Sequence, residues 1–596
     1  MPFDLQLTSF LDGFGTEDQI AERVQELGHK RVAITDHGSV FAHVPYHRVM
    51  PKYGINPIFG CEFYVVDDIS ERTRFQESLG VNAIPHVTIL AQTSEGYENL
   101  IQLSKLSWME GFYYKPRVDW GMIRDYQKGL IVLSGCPGGY PTRMLIDNVQ
   151  HSDGTVSRMV TNHSYNRTLD FCRQRANEIE NYFIEIVPEP GFEDSHIASD
   201  YLVSIARDIR RPIILTSDAH FPREKDHPYQ DILLCAGMGK RVDDPERTLK
   251  LPEYQFYCTS NELLERAHKV FNNVPEEVII QGISNSSLLA DTCDVTLPRG
   301  KMVAFPDIPW GSSSGELLWK WATEGFKKRW DNGLIPPDQY TTYCNRMISE
   351  FQVLDNKKFC DYILAIGDVI RWVKDQGGLV MVRGSAGGCL LLWLISASET
   401  DPIFHGLSFE RFYDENRSDP PDVDIDFERK WRNLAIEYMF EKYGRDHCAQ
   451  VAALSRLTAK AALQSVAKTL GIPRSAFSRL SNALNSKDDD VEGQYEAFKD
   501  KSVLEVLEKY PALRAYEHII GQYKHNSIHA AGVLVSSIPI SKIIGVVLSQ
   551  DRTSLVATVD KEGAAEMGLL KMDFLGVDGL DVVAEAAIKA TGYISW

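Results

Sequence analysis

The sequence predicts a multidomain protein of α/β and α+β character, and three observations carry that prediction. The chain has 596 residues, well beyond the ~150 usual for one domain. Short β-rich runs alternate with helical stretches as far as about residue 235, the rhythm of an α/β barrel or a doubly wound sheet. From about residue 260 helices dominate, and a β-rich portion follows from 530 to 575. Composition bounds the function. At 44% hydrophobic and 24% charged residues the chain reads as ordinary globular protein. With 82 acidic against 63 basic side chains, net charge −19, a surface that is basic everywhere is excluded, so any contact with phosphate must be local. Ten cysteines without CxxC pairs point to a reducing compartment, with the cytoplasm as the expected location. The opening MPFDLQLTSFLDG has neither a basic flank nor an apolar core, and the longest apolar run, CLLLWLISA at 389–397, is half a membrane span. Neither export nor a membrane anchor is expected.

The elements follow in order. Candidate strands are RVAIT at 31–35, PIFGCEFYVV at 57–66, HVTILA at 86–91, GLIVLSG at 129–135, YFIEIV at 182–187 and RPIILTSD at 211–218. Each is a short run rich in β-branched and aromatic residues. Between them the spacing shifts toward 3.6, as in EDQIAERVQELG. The charged, Asn-rich patch at 147–167 reads as a surface insertion and 236–255 as a connector. An acidic strand near 422, a helical stretch at 432–515 and the β-rich portion complete the reading.

Three constellations carry chemistry. In PPDVDIDF at 420–427, Asp422, Asp424 and Asp426 alternate with Val423 and Ile425, so a strand projects all three carboxylates on one face. Like charges so close need cations, and a pair of Mg²⁺ ions held by carboxylates is the usual device for phosphoryl or nucleotidyl transfer; a solvated acidic edge strand is the alternative. Some 37 residues earlier Arg383, Gly384 and Ser385 precede an apolar helix, a turn that could cradle a triphosphate or simply cap the helix. In GLLKMDFLG, Asp573 sits in an otherwise apolar strand with Lys571 on the same face, either a metal ligand or an acid with a structural counter-ion. A fourth feature is electrostatic. His447 to Ser486 contains no Asp or Glu in 40 residues, and Arg456, Lys460, Gln464 and Lys468 form an i, i+4 row on a predicted helix. That row suits a phosphate backbone, or is a solvated face.

Taken together these pieces resemble the catalytic alpha subunits of bacterial DNA polymerase III, the C-family replicative polymerases, with their N-terminal polymerase-and-histidinol-phosphatase (PHP) domain. The matching stretches are ITDHGSVFA, PIFGCEFYV, GYENLIQL, MEGFYYKPRVD, GLIVLSGC, RGSAGG, LSFERF, PDVDIDF, EKYGRDHCAQ, HNSIHAAGV and GLLKMDFLG, in family order across nearly the whole chain. The resemblance implies a PHP-type α/β barrel at 1–245, then a nucleotidyltransferase-like palm at 246–432 and 513–596 with a helical thumb inserted at 433–512. It implies Asp422, Asp424 and Asp573 as catalytic ligands of two Mg²⁺ ions, with Asp426 outside the principal set. Arg383, Gly384 and Ser385 match the turn that holds the nucleotide's phosphates. Lys571 and His529 match palm positions beside the active site, and Lys524 stands where Arg is more usual. Arg456, Lys460 and Lys468 are the expected DNA contacts.

The departures shape further expectations. Val380, Met381 and Val382 replace the family's Gly-Pro-Gly before the turn. In the PHP region Asp4 and Gln6 stand near the positions of a missing His-x-His pair, while Asp12, His37, Glu62, His86, Cys136, Asp218 and His220 still match metal-ligand positions. A Zn²⁺ or Mn²⁺ site there is therefore incomplete, and hydrolysis is expected to be weak or absent. Only 23 residues follow Asp573, where the family continues into a fingers domain. The expected partners are primer-template DNA, nucleoside triphosphates, a second polypeptide supplying fingers, and other replisome subunits. Two alternatives stand beside polymerisation: a PHP-type metal-dependent phosphoesterase or exonuclease, and a non-catalytic DNA-binding replication subunit.

Overall fold

A computed structural model describes residues 13–72, 84–414, 416, 421–484, 501–549 and 554–592. Asp12, Asp4 and Gln6 lie outside the described residues. The chain divides into two compact units, one formed by 1–297 with 454–527 and the other by 298–453 with 528–596.

The first unit is built on nine strands: β1 (Arg31–Ile34), β2 (Asn56–Val66), β3 (His86–Ala91), β4 (Arg117–Asp119), β5 (Leu130–Leu133), β6 (Ile146–Gln150), β7 (Val156–Val160), β8 (Tyr182–Ile186) and β9 (Ile213–Leu215). Seven form a mixed sheet in the order β1-β2-β3-β5-β8-β9, with β4 paired to β2. Six of the nine are legible in the sequence as apolar runs. β6 and β7 are not, being polar on both faces; they pair antiparallel as a hairpin inside the expected insertion. The sheet is polar where it matters: Thr88, Glu185 and Thr216, on or just past β3, β8 and β9, are fully buried. The segment 454–527 is fastened to the N-terminal part by Gln522, whose side-chain oxygen accepts from Gly15 N at 2.8 Å, and by the Val242 N–H donating to Thr469 O at 3.1 Å.

The second unit carries a seven-stranded sheet. Its strands are β10 (Val380–Arg383), β11 (Asp424–Phe427), β12 (Cys448–Arg456), β13 (Tyr523–Val535), β14 (Val546–Leu548), β15 (Leu555–Ala557) and β16 (Leu570–Gly576), in the order β10-β11-β16-β13-β12-β15-β14. The core beneath it packs Ile425, Phe427, Met572 and Phe574 against the helix Cys360–Asp375, whose Tyr362, Ile363, Leu364 and Ile366 are fully buried. β12 corrects the sequence reading of 432–515 as helical throughout. Ala449, Ala452 and Ala453 have helical propensity, but the segment fills the slot between β13 and β15, and backbone pairing there outweighs propensity. The correction reaches the basic row. Arg456 ends β12, while the helix that carries Lys460, Gln464 and Lys468 is Ala459–Thr469. All ten cysteines are free thiols, and no helix among the described residues is long and apolar enough to cross a membrane.

Candidate active site and a second metal-ligand cluster

β11 and β16 run parallel in a register that sets Asp424 directly beside Asp573. β16 pairs on its other side with β13, where Asp573 faces Gly532. Apolar neighbours alternate inward on both strands, so the acids emerge together on the sheet's other face. Asp422, just before β11, joins them: one carboxylate oxygen of each of Asp422, Asp424 and Asp573 lies within 4.8 Å of the others. The exposure is graded, with the side chain of Asp422 51% exposed, Asp424 36% and Asp573 8%. Burial, together with the negative charges of Asp422 and Asp573, raises the pKa of Asp424, while Arg383 opposes the rise.

Every one of these acids meets a cation. Lys571 bonds Asp573 from two residues away on the same strand face. The Arg383 guanidinium contacts Asp426 at 3.0 Å and Asp424 at 3.8 Å. Lys561 reaches Asp422 at 3.2 Å, and that hydrogen bond raises its pKa. The donor set fits a hard divalent metal. Asp573 Oδ1 is buried with no hydrogen-bond partner while Oδ2 is taken by Lys571, so a ligand oxygen is left over in a place where it is costly. Three carboxylates and no soft donor suit oxygen-preferring ions.

The turn beside the acids is held by residues that sequence reasoning did not single out. β10 pairs antiparallel with β11, Arg383 opposite Asp424, and the turn Gly384–Gly388 follows. Arg383, Gly384 and Ser385 are exposed. Gly384 has φ +69°, a left-handed conformation open to glycine, and a side chain on Gly388 would strike Ser408 O at 2.6 Å. Arg346 donates to Gly388 O at 3.0 Å, and the fully buried Glu350 accepts from Leu391 N at 3.1 Å. A buried carboxylate thus holds the helix that follows the turn and pairs with the Arg346 that holds the turn itself; its sequence signal is Glu350 four residues after Arg346 on a helix. The apolar helix after the turn is short, Leu390–Leu394, so its dipole adds little to the turn. His529 is half-buried and its Nδ1 accepts from Gly532 N at 2.9 Å, bracing β13 beside Asp573. Lys524 is exposed near the start of β13.

The basic residues divide. Arg456 is committed to the first unit, bonding both oxygens of the buried Glu17 at 2.9 and 3.0 Å and stacking on Tyr523 with 4.2 Å from guanidinium carbon to ring centroid. Lys460 is half-buried; Gln464 and Lys468 are exposed and follow it at four-residue spacing on the helix Ala459–Thr469.

In the first unit His37, Glu62 and His86 form a second cluster with ligand atoms within 4.8 Å. Glu62 is fully buried on β2 and meets His86 Nε2 at 2.6 Å and His37 Nδ1 at 3.3 Å. Burial alone would raise its pKa, but the two imidazoles outweigh it and hold the carboxyl well below the usual range. Cys136 Sγ lies 2.9 Å from His86 Nε2, and burial, with the negative charges of Asp218 and Glu62, pushes its thiol pKa up. Asp218 and His220 line the same cavity of about 430 Å³ with His37, His86, Cys136 and Arg143. Two imidazoles, a carboxylate and a thiol fit a borderline metal.

Close to that cavity Glu189 is buried, with Gly191 N donating to it at 2.9 Å, and burial pushes its pKa up to about 7. A carboxyl raised in the folded state stabilises the fold while it is protonated. That contribution is fully present below 4.5, its ordinary value, and is lost as pH rises through about 7. Glu189→Gln should flatten this fall, which is on the order of 3 kcal/mol for the wild type, in urea melts taken from pH 4.5 to 8.

Residues 7–188 match the model of the PHP domain, and residues 316–576 match that of the bacterial DNA polymerase III alpha NTPase domain. The second match contains Arg383, the turn and all three clustered aspartates. Among curated relatives, the DNA polymerase III subunit alpha of Borreliella burgdorferi is 30% identical over 97% of this chain and 48% of its own length. Those of Helicobacter pylori (strain 26695) and Aquifex aeolicus are each 29% identical, over 97% and 96% of this chain and 48% and 50% of their own. The resemblance to bacterial DNA polymerase III alpha subunits thus holds along nearly the whole chain, which spans about half the length of the curated relatives it matches. Among solved structures, a two-domain protein from Bacteroides vulgatus ATCC 8482 containing a predicted PHP-like metal-dependent phosphoesterase is similar at 14% identity and a TM-score of 0.23, over 39% of this chain and 55% of its own.

Proposed function

We propose that this chain performs template-directed DNA synthesis by nucleotidyl transfer, as the PHP (1–245), palm (246–432 and 513–596) and thumb (433–512) portion of a C-family DNA polymerase. The observation that carries the reading is the pairing of Asp424 with Asp573 across adjacent strands, with Asp422 within 4.8 Å and a buried Asp573 oxygen left without a partner. Divalent metal held by Asp422, Asp424 and Asp573, two Mg²⁺ ions by resemblance to the C-family polymerases, would supply an activated primer 3′-hydroxyl and charge neutralisation at the departing pyrophosphate.

The chain's own residues do the rest. Asp573 is a rigid ligand, because its strand is paired on both sides and Lys571 fixes one of its oxygens. Arg383, exposed and already beside Asp424, is placed to turn its fork onto the triphosphate. Gly384 and Ser385 offer backbone N–H groups and a hydroxyl on the same exposed turn. Positioning supplies much of the catalysis in phosphoryl transfer, and the Arg346 and Glu350 anchor keeps that turn in place. A fingers domain opposite this palm would close over the nascent base pair and exclude water. Primer extension with Mg²⁺ and nucleoside triphosphates, with a fingers polypeptide present, tests the reading, and absence of templated synthesis would refute it. In the PHP region, the cluster of His37, Glu62 and His86 would hold Zn²⁺ or Mn²⁺.

The DNA reading rests on Lys460 and Lys468 alone, since Arg456 is engaged by Glu17. Changing both lysines to Glu should weaken primer-template binding without sequence preference. The slope of log affinity against log salt should fall by about 0.9 for each phosphate that no longer meets a lysine. An unchanged slope in a filter-binding salt series would return this helix to a solvated face.

A further inference from the structure

We propose that Lys561 is a displaceable counter-cation of the carboxylate site, which holds Asp422 until a divalent metal takes that carboxylate and then turns its freed ammonium onto the triphosphate. The inference rests on the reading of Asp422, Asp424 and Asp573 as a metal site.

Two lysines touch the three clustered acids, and they differ in kind. Lys571 is 9% exposed and its partner Asp573 is 8% exposed, so the pair is fixed in the sheet. Lys561 is 58% exposed and Asp422 51%, with 3.2 Å between Nζ and Oδ2. An exposed pair of that sort gives little stability, and a divalent charge at the same carboxylate outcompetes a single ammonium. The backbone beneath Lys561 is nevertheless anchored. Asp560 caps the short helix Lys561–Glu566 by accepting from Gly563 N at 2.7 Å, and Gly563 and Ala564 are buried. The ammonium is thus a compact charge on a flexible four-carbon stem with a fixed root. Once off Asp422 it remains within side-chain reach of that ligand, hence of any phosphate oxygen that shares the ligand's metal. Lys561 would then be a positioning residue that spares the metal-free site from its own repulsion and afterwards helps hold the nucleotide.

Two binding measurements on the 596-residue chain test this: Mn²⁺ titration followed by electron paramagnetic resonance, and calorimetric binding of dATP in Ca²⁺. Lys561→Gln should bind Mn²⁺ about two- to fivefold more tightly, the worth of an exposed ion pair, and dATP more weakly. Lys561→Arg should stay near wild type in Mn²⁺ affinity and recover most of the dATP affinity. Asp422→Asn should bind Mn²⁺ much more weakly. If Asp422→Asn loses Mn²⁺ but Lys561→Gln matches wild type, the Lys561 inference falls and the metal site stands. If Asp422→Asn binds Mn²⁺ as wild type does, the metal-site reading itself falls. Tighter Mn²⁺ with unchanged dATP affinity, or no dATP binding by the wild type, overturns the transfer to triphosphate.

Discussion

Asp573→Asn is expected to lower nucleotide incorporation by at least roughly 10²- to 10³-fold, the scale of losing one preorganised charged group from a transition-state site. The geometry ranks the acids. Asp573 is the most buried of the three, its strand is paired on both flanks, and its Oδ1 has no protein partner. Asn keeps the volume but removes the charge, and it leaves Lys571 beside a neutral amide in a nearly closed site. Asp424→Asn should be comparable, because Asp424 stands opposite Asp573 in the strand register and its raised pKa reflects, after burial, neighbouring negative charge that a metal would neutralise. Asp426→Asn should be milder. Asp426 is buried and engages Arg383 at 3.0 Å, so its loss frees the guanidinium without removing one of the three clustered oxygens. Single-nucleotide incorporation in an assembly that includes fingers, measured for each Asn variant, checks the ranking. Near-normal turnover for Asp573→Asn or Asp424→Asn would remove the metal assignment.

Local chemistry decides what can be read from the sequence. Asp424 and Asp573 are visible because each is a charged residue in an apolar strand, and a pattern of period two survives without knowledge of its neighbours. Strands β1, β2, β3, β5 and β8 are visible for a related reason, as short continuous β-branched and aromatic runs. β12 is not, because CAQVAALSR is rich in good helix formers and only the vacancy between two other strands makes it extended. Lys561 carries no signal at all, as a lysine opening a short KEGAAE helix looks like any solvated residue until the fold brings it to Asp422, 139 residues earlier. The Arg346 and Glu350 support of the phosphate turn is hidden in the same way, being made between elements that sequence spacing does not connect.

Arg456 shows the cost of that blindness most sharply, and its replacement should have the largest effect on stability. By composition it belongs to a basic ridge facing DNA. In the fold its guanidinium bonds both oxygens of Glu17, 439 residues earlier, donates to Gly521 O at 3.0 Å and to the Tyr523 hydroxyl at 2.8 Å, and lies over the Tyr523 ring. Tyr523 in turn donates to Glu17. Glu17 is 4% exposed, so Arg456→Ala would leave a buried carboxylate without its cation, at a cost of roughly 3–5 kcal/mol. Arg456→Lys should recover part of this, since an ammonium keeps the charge but has no second nitrogen to reach Gly521 O and stacks less well on the ring. Glu17→Gln should cost less than Arg456→Ala, because the cation it strands is 31% exposed and can be partly hydrated. Urea melts of the three variants, read beside the salt slope of DNA binding, separate a structural arginine from a DNA contact. If Arg456→Ala lowers the salt slope and leaves the melt unchanged, its bond to Glu17 does not support the fold and the guanidinium faces phosphate after all.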